Sequence, residues 1–271
     1  MRLFVAIDLE GICAVVAERD ADREGPAAEV ARRHMRADLD AVLDGCLAAG
    51  TDEVVVCDAH DDGRNLDAGG LAPQVTLVSG GAGPHSMMQG IGPGFEGALF
   101  VGYHARAGTA AAVLEHTWNY KVFSARFGDL EVGEFGLGAL LAGHFGVPPL
   151  YVSGDDKTAA EVQALAPGVV TTVVKKGVTR LCAELCPPQE ARERMRGDVE
   201  SAVRRRSEAH PLIWNGAPLT LTFTRAEFCD RALSCPGVRR LDGRTLEIAG
   251  PTYEDIYLSF LACVRLSDLE D

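Results

Sequence analysis

No part of this sequence is an apolar run of the ~18–20 residues that a membrane-spanning helix requires. Basic residues are also scarce beside acidic ones. The 26 Lys and Arg stand against 39 Asp and Glu, which gives a formal net charge of −13 at pH 7. A protein that binds nucleic acid or an anionic membrane surface needs cations to neutralise phosphates. The sequence therefore predicts no nucleic-acid partner and no membrane partner.

Cysteine pairs of the Cys-x-x-Cys type are absent, although the chain contains eight cysteines. Most of them lie among apolar residues, so we interpret them as reduced thiols of the core, with Cys182 and Cys186 as an alternative metal or redox pair. A signal peptide is not expected, because Asp8 and Glu10 interrupt the N-terminal apolar segment too early. We therefore expect a cytoplasmic protein whose first residues form a buried strand.

Short apolar segments alternate with amphipathic segments along most of the chain. Residues 2–8 form a near-continuous apolar run, which is typical of a strand buried on both faces. Residues 27–49 carry apolar side chains at helical spacing, and Gly50 ends this pattern. A strand, a helix and a strand in this order predict right-handed crossovers and an α/β fold with a mostly parallel central sheet flanked by helices. We predict further strands at 53–60, 75–80, 97–104, 149–155 and 169–176, a hairpin at 121–132, and helices at 134–145 and 156–166.

The pattern changes in the last third of the 271 residues, where we expect a smaller α+β C-terminal lobe. The boundary is placed at residue 180, so that residues 1–180 form the α/β lobe and residues 181–271 form the second. An arginine-rich helix there predicts a solvated or subunit-contact face, because interleaved glutamates dilute its charge. The small-residue helix at 134–145 is a second candidate contact surface. The elements predicted in the last third are a helix at 188–209, a strand at 219–225, a hairpin around 242–243 and a helix at 252–265.

Ionisable residues collect where the predicted strands end. Asp8 and Glu10 follow the first strand, Asp58 and His60 end the second, and His104 ends the fourth. Residues two apart in an extended chain point the same way, so Asp8 and Glu10 can face one point. Because ligands of open parallel sheets bind outside the carboxyl ends of the strands, we expect these side chains to lie on one rim.

This mixture of carboxylates and imidazoles suits Zn²⁺ or a similar divalent ion. One carboxylate can also bridge two ions about 3.5–4 Å apart, as is common in two-metal hydrolases. Each residue alone has an ordinary structural explanation, since an Asp-x-Glu can cap a helix and a strand-end histidine can serve as a hydrogen-bonding group. Their joint position at one sheet edge favours a metal site.

Two later residues extend the candidate set. His116 follows His104 by one short loop, and Glu134 lies between glycines that either allow close backbone approach or mark a turn. We interpret the remaining histidines as surface or structural residues, with His85 as a weaker candidate for the surroundings of the site. These remaining histidines are His34, His85, His144 and His210.

The segments IDLEG, DAH, GYHARAGT, LEHTW, VGEFGL and VSGD resemble, in order and spacing, the DppA-type zinc-dependent D-aminopeptidase family of bacteria. The match is strong over residues 1–180 and looser beyond them. The resemblance implies a cytoplasmic metallo-aminopeptidase with two Zn²⁺ per subunit. It also implies a ring-shaped homo-oligomer, a decamer of stacked pentamers, that hydrolyses short peptides with an N-terminal D-residue such as D-Ala.

The resemblance further implies which residues would bind zinc. Asp8 is similar to the bridging carboxylate of the family. Glu10 and His104 look like the other ligands of one zinc, and His60 and Glu134 look like those of the second. All five lie in the lobe of residues 1–180, which would be the metal-binding and catalytic lobe.

His116 resembles the catalytic histidine of the family, either as acid and base or as nucleophile, and we favour acid/base catalysis because the metals already supply a nucleophile. The sequence departs from the family pattern at Gly138, where Asn is frequent, and lacks a proline near Ala110. Neither departure removes an implied ligand or His116. They bear on substrate preference and on loop rigidity.

Other functions stay open at this point. An L-specific aminopeptidase is compatible with the same residues, because chirality is read by pocket walls that the sequence does not locate. A di-metal hydrolase of another small amide, ester or phosphoester is a further alternative, and a phosphoester would favour a basic clamp for which only Arg106 is obviously placed. A non-catalytic scaffold is disfavoured by the intact His116 and ligand set.

Overall fold

The computed structural model describes residues 1–269 and has an α/β fold with two sheets. In this described part of the chain, no helix is both long and apolar enough to cross a membrane. The helices are α1 (Pro26–Ala48), α2 (Glu134–His144), α3 (Asp156–Leu165), α4 (Pro188–Arg204), α5 (Ala226–Ala232) and α6 (Tyr253–Ser267). The strands are β1 (Arg2–Ile7), β2 (Glu53–Asp58), β3 (Val75–Val78), β4 (Gly97–Val101), β5 (Val122–Phe127), β6 (Leu130–Glu131), β7 (Pro149–Asp155), β8 (Val170–Thr179), β9 (Cys182–Leu185), β10 (Leu219–Phe223), β11 (Val238–Arg240) and β12 (Thr245–Ile248).

The larger sheet has seven strands in the order β3-β2-β1-β4-β7-β8-β9, and every neighbouring pair except β8 and β9 is parallel. The predicted mostly parallel sheet is therefore confirmed. Leu3, Val5 and Ile7 of β1 face a core that includes α1 and α4. Phe4 and Ala6 face the opposite core, which includes α2 and α6. Because both faces of β1 are covered, its sequence is a continuous apolar run.

The smaller sheet has five antiparallel strands in the order β11-β12-β10-β5-β6. The hairpin predicted at 121–132 forms β5 and β6, and β5 pairs with β10 from the last third of the chain. Strands from both sides of residue 180 therefore share this sheet, while β9 extends the larger one. The division into lobes at 1–180 and 181–271 stays a prediction.

Two predictions about helices need correction. The helix expected at 188–209 ends at Arg204, and residues 206–208 form a separate 3₁₀ turn. Residues 134–143 of the small-residue helix, α2, are all buried within this chain, so of the contact surface predicted at 134–145 only His144 and Phe145 at its end are accessible. The sequence also gave no indication of β9, a short edge strand, or of α5, which has seven residues.

All eight cysteines are free thiols, and six of them are buried. The interpretation as core thiols holds for these six, whereas Cys182 is exposed and Cys186 is half-buried. Burial raises the pKa of the Cys46 and Cys57 thiols to about 12, so both stay protonated and unreactive near neutral pH.

The carboxyl ends of β1, β2 and β4 meet at one edge, because β1 lies between the other two in parallel register. Close backbone packing continues beyond these ends. The Gly11 amide donates to the Gly102 carbonyl at 2.8 Å, and a Cβ on Gly11 would lie 2.0 Å from the carbonyl oxygen of Tyr103. Only glycine fits at position 11, and this contact holds the segment after β1 against the segment that leads to His104.

Candidate metal centre

The structure brings the predicted ligands together at this edge of the larger sheet. Their residue exposures are 2% for Asp8, 5% for Glu10, 8% for His60, 2% for His104 and 4% for Glu134. Charged side chains are almost never this deeply buried unless they are paired or coordinate a metal. The three carboxylates and two imidazoles therefore form one buried polar cluster.

Asp8 lies at the middle of this cluster and uses its two oxygens in different directions. Its Oδ1 lies 3.3 Å from His60 Nδ1, and the same ring nitrogen lies 3.2 Å from Glu10 Oε2. Its Oδ2 lies 3.5 Å from His104 Nε2, which in turn lies 3.4 Å from Glu134 Oε1. The cluster thus has two halves that share Asp8.

Backbone carbonyls set the tautomers of the histidines. The Nε2 of His60 lies 2.9 Å from the Ala21 carbonyl oxygen, and the Nδ1 of His104 lies 3.0 Å from the Ala105 carbonyl oxygen. A carbonyl only accepts, so these nitrogens carry the hydrogens. Burial lowers the pKa of both rings, but the facing carboxylates outweigh it and hold the pKa of each well above its usual value, so the other nitrogen also carries a proton when no metal is bound. A divalent cation in place of those protons would receive the lone pair of each neutral ring.

Several buried polar atoms support the same conclusion. Glu10 Oε2 and His104 Nε2 are buried and make no hydrogen bond within residues 1–269. Two groups of side chains offer ligand atoms within 4.8 Å of one another, and His104 belongs to both. Since carboxylate oxygens and imidazole nitrogens are common ligands of divalent zinc, the residues present fit such an ion. These groups are Asp8, Glu10 and His104, and His104, His116 and Glu134.

The electrostatics of the cluster reflect burial and crowding. Burial and the charge of Glu10 raise the pKa of Asp8 to about 7. Burial also raises the pKa of Glu10, but the neighbouring His60, His116 and His104 together outweigh burial and hold it well below its usual range. Burial lowers the pKa of His116, and the positive charge of His104 lowers it further. The crowded carboxylates therefore need positive charge between them.

Glu134 is the first residue of α2, where the helix dipole favours a negative charge. Its Oε1 accepts a hydrogen bond from the Trp118 amide at 2.6 Å and lies 3.6 Å from His116 Nε2. A Cβ on the preceding Gly133 would lie 2.7 Å from Glu161 Oε1, so the close approach expected of the flanking glycines occurs at this position.

Lys175 of β8 holds the segment that carries Glu10, and sequence analysis missed it. Its side chain is fully buried, and its Nζ donates to the carbonyl oxygens of Glu10 at 2.5 Å, Ile12 at 3.0 Å and Val15 at 2.6 Å. Burial lowers the pKa of Lys175 to about 8. The sequence shows only two adjacent lysines, Lys175 and Lys176, at the end of the strand predicted at 169–176, and nothing in it tells which of them is buried.

Other ionisable residues of the sequence analysis lie outside the cluster. Asp58 accepts hydrogen bonds from the amides of Asn65 at 2.6 Å and Leu66 at 2.9 Å, so it fixes the loop after β2. His85 contacts Glu254 at 2.7 Å, and His34 Nδ1 lies 2.9 Å from an Arg192 nitrogen. Asp58, His34 and His85 therefore have structural partners.

Two cavities open beside the cluster. The first, of about 420 Å³, is lined by four of the predicted ligands together with His116 and several further acidic residues. The second, of about 570 Å³, contains three arginines in its lining. The cavities meet at three residues, Glu18, His116 and Tyr120. His116 therefore faces both spaces.

Comparison with known proteins gives a consistent result. The peptidase M55 family, described as D-aminopeptidase, matches residues 1–262. The D-aminopeptidase of Bacillus subtilis (strain 168) is 32% identical over 246 residues, which are 90% of this chain and 89% of that protein. A solved structure, the Zn-dependent D-aminopeptidase DppA from Bacillus subtilis, described as a self-compartmentalizing protease, superposes with a TM-score of 0.96 at 30% identity. The superposition covers 100% of this chain and 99% of the other.

Proposed function

Because the chain belongs to the peptidase M55 family of D-aminopeptidases, we propose that it is a zinc-dependent aminopeptidase. It would release the N-terminal residue from short peptides. The observation that carries the proposal is the convergence of three carboxylates and two imidazoles in one buried cluster. A fold without metal chemistry gains nothing from burying so many ionisable groups.

We propose two Zn²⁺ per subunit, held by Asp8, Glu10, His60, His104 and Glu134. The resemblance implies Glu10 and His104 for one zinc and His60 and Glu134 for the other, and the ligand atoms of Asp8, Glu10 and His104 lie within 4.8 Å of one another. His60 lies nearest to Asp8 Oδ1 and His104 nearest to Asp8 Oδ2, so the two imidazoles would serve different ions. Asp8 would remain the bridging ligand.

When bound, zinc supplies Lewis-acid polarisation of the scissile carbonyl and lowers the pKa of attacking water. His116 is placed to move the proton. Its Nδ1 donates to the Leu114 carbonyl at 2.9 Å, so Nε2 is the nitrogen available to take a proton and return it to the leaving amine. Asp22 lines the same cavity and would attract the substrate's free ammonium group, whereas the nearby Glu18 and Asp61 are ion-paired with Arg180 and Arg23.

The preferred substrate would carry an N-terminal D-residue such as D-Ala. The test is release of alanine by the zinc-loaded protein from D-Ala-Gly-Gly and from L-Ala-Gly-Gly, with p-nitrophenyl phosphate as a probe of phosphoester hydrolysis. We expect release from the D-peptide in excess of the L-peptide. Release from the L-peptide alone would establish the L-specific alternative, and cleavage of the phosphoester alone would overturn the peptidase proposal.

We also propose that the chain assembles into a ring-shaped homo-oligomer, a decamer. The similarity to a self-compartmentalizing protease supports an assembly of this kind. Sedimentation should then give about ten times the 28.8 kDa mass of one chain. A monomer at micromolar concentration would contradict the assembly. The cytoplasmic location stays a prediction.

A further inference from the structure

The larger of the two cavities beside the metal centre has no role in the chemistry described so far. It shares Glu18, His116 and Tyr120 with the cavity over the ligands, so a molecule bound at the metal centre can extend past His116 into it. Its lining contains three arginines, Arg106, Arg126 and Arg180. Three glutamates, Glu18, Glu115 and Glu131, line the same cavity, so what matters is which arginine lacks a close carboxylate partner.

Two of these arginines already have partners. Arg126 donates to Glu131 Oε2 at 3.0 Å and to the Asp129 carbonyl at 3.0 Å. Arg180 donates to Glu18 Oε1 at 2.6 Å, and its guanidinium lies 5.1 Å from the centroid of the Tyr120 ring. Their charges are largely compensated within the chain.

Arg106 is different. Its nearest carboxylates, Glu131 and Glu161, lie 3.7 Å away, and its Nε is buried with no hydrogen bond within residues 1–269. Glu131 binds Arg126 at 3.0 Å, which is closer than its 3.7 Å approach to Arg106. The side chain of Arg106 is 34% exposed in the cavity wall. A guanidinium has five donors in a planar fork that fits a carboxylate, and here Nε has no hydrogen-bond partner within residues 1–269 while the nearest carboxylate oxygens lie only at ion-pair distance.

The position of Arg106 links it to the reaction. It follows His104 by two residues, and its Cβ lies 2.9 Å from the point where a Cβ on Gly133 would stand, next to Glu134. The Arg106 side chain therefore begins close to two candidate ligands, His104 in the segment after β4 and Glu134 at the start of α2.

We propose that Arg106 binds the C-terminal carboxylate of the substrate, so that the site selects short peptides with a free carboxylate. The inference rests on the proposed function and deepens it. The ammonium end of the peptide would lie near Asp22 and the carboxylate end against Arg106, so each charged end would meet a group of opposite charge. A charge-assisted bidentate contact of this kind contributes about 10- to 100-fold to binding.

The first test compares kcat/KM for D-Ala-Gly-Gly and for the same peptide with a C-terminal amide. The zinc-loaded wild type should prefer the free acid by about 10- to 100-fold. In Arg106→Gln this ratio should fall towards one, mainly through KM, and Arg106→Lys should recover part of it. Arg126→Gln is the matched control from the same cavity and should keep the wild-type ratio. Equal losses on both peptides in Arg106→Gln would overturn the proposal and assign Arg106 a structural role.

The second test does not depend on turnover. Calorimetry with Gly-Gly and with Gly-Gly-amide reports binding of the carboxylate directly. We expect Gly-Gly to bind wild type and Arg126→Gln more tightly than the amide, and Arg106→Gln to lose this difference. If Gly-Gly shows the difference while no peptide is hydrolysed, the carboxylate site stands and the peptidase proposal fails. If Gly-Gly and its amide bind wild type equally, the carboxylate site is wrong.

Discussion

The imidazole rings of His104 and His116 are stacked, with 4.0 Å between their centroids and 17° between their planes. Each ring donates from Nδ1 to a backbone carbonyl, so each presents Nε2 towards Glu134 Oε1, at 3.4 Å and 3.6 Å. His104 also faces Asp8 from a fully buried position, whereas the His116 side chain is 12% exposed and borders both cavities. We therefore expect His104 to bind metal and His116 to transfer protons.

Replacement of His116 separates these two roles. In His116→Ala we expect turnover to fall by about 10²–10⁴, because a positioned acid/base is lost. Zinc content, measured by mass spectrometry of the metal, should stay near that of the wild type. His104→Ala is the comparison, and it should lose zinc. Loss of zinc from His116→Ala as well would show that this residue is a ligand.

Removal of the metal should destabilise the folded chain. Without a cation, three buried carboxylates face one another at the end of the sheet, and a ligand at 100 times its dissociation constant adds about 2.7 kcal/mol to the free energy of unfolding. Chelation should lower the Tm of the wild type, and added zinc should restore it. Asp8→Asn should show little response to either treatment. An unchanged Tm of the wild type after complete chelation would contradict a metal at this site.

Lys175 should support both stability and zinc binding. Lys175→Met leaves the carbonyls of Glu10, Ile12 and Val15 without their donor, and we expect a loss of about 3 kcal/mol or more in the free energy of unfolding. The segment that carries Glu10 loses its anchor, so zinc affinity should also fall. Denaturant titration and zinc competition measure the two effects. Lys176 is the exposed neighbour, and Lys176→Met is the control. Equal effects of the two substitutions would refute the anchoring role of Lys175.

Gly11 tests the close packing that brings the strand ends together. A Cβ at this position would lie 2.0 Å from the Tyr103 carbonyl oxygen, so Gly11→Ala must push apart the segments of Glu10 and His104. We expect a loss of at least about 2 kcal/mol in stability together with reduced zinc occupancy. Gly92→Ala meets no atom within 4 Å and should change stability by less than about 0.5 kcal/mol. Similar effects of the two substitutions would contradict the packing described above.

The strand and helix pattern of the larger sheet could be predicted because strands buried on both faces have continuous apolar sequences. β1 is the clearest case, since every residue from Leu3 to Ile7 is buried. β9 has no such apolar run, because three of its four residues are exposed at the sheet edge. α5 spans only Ala226–Ala232, too short for helical periodicity to be distinguished.

The members of the site could be predicted, but their relationships could not. Strand ends and motif order identified the five candidate ligands and His116. The side of Asp8 on which His60 lies depends on the loop that places the Ala21 carbonyl against it. The roles of Lys175 and Arg106 depend on contacts between distant segments, and those contacts have no periodic pattern in the sequence.

Anomalous diffraction at the zinc absorption edge, from crystals of the zinc-loaded protein, tests the central claim most directly. Two peaks about 3.5–4 Å apart are predicted, on either side of Asp8. One should lie within bonding distance of Glu10 and His104, and the other within bonding distance of His60 and Glu134. Peaks elsewhere in the molecule, or no peak at this sheet edge, would contradict a two-zinc centre built from these residues.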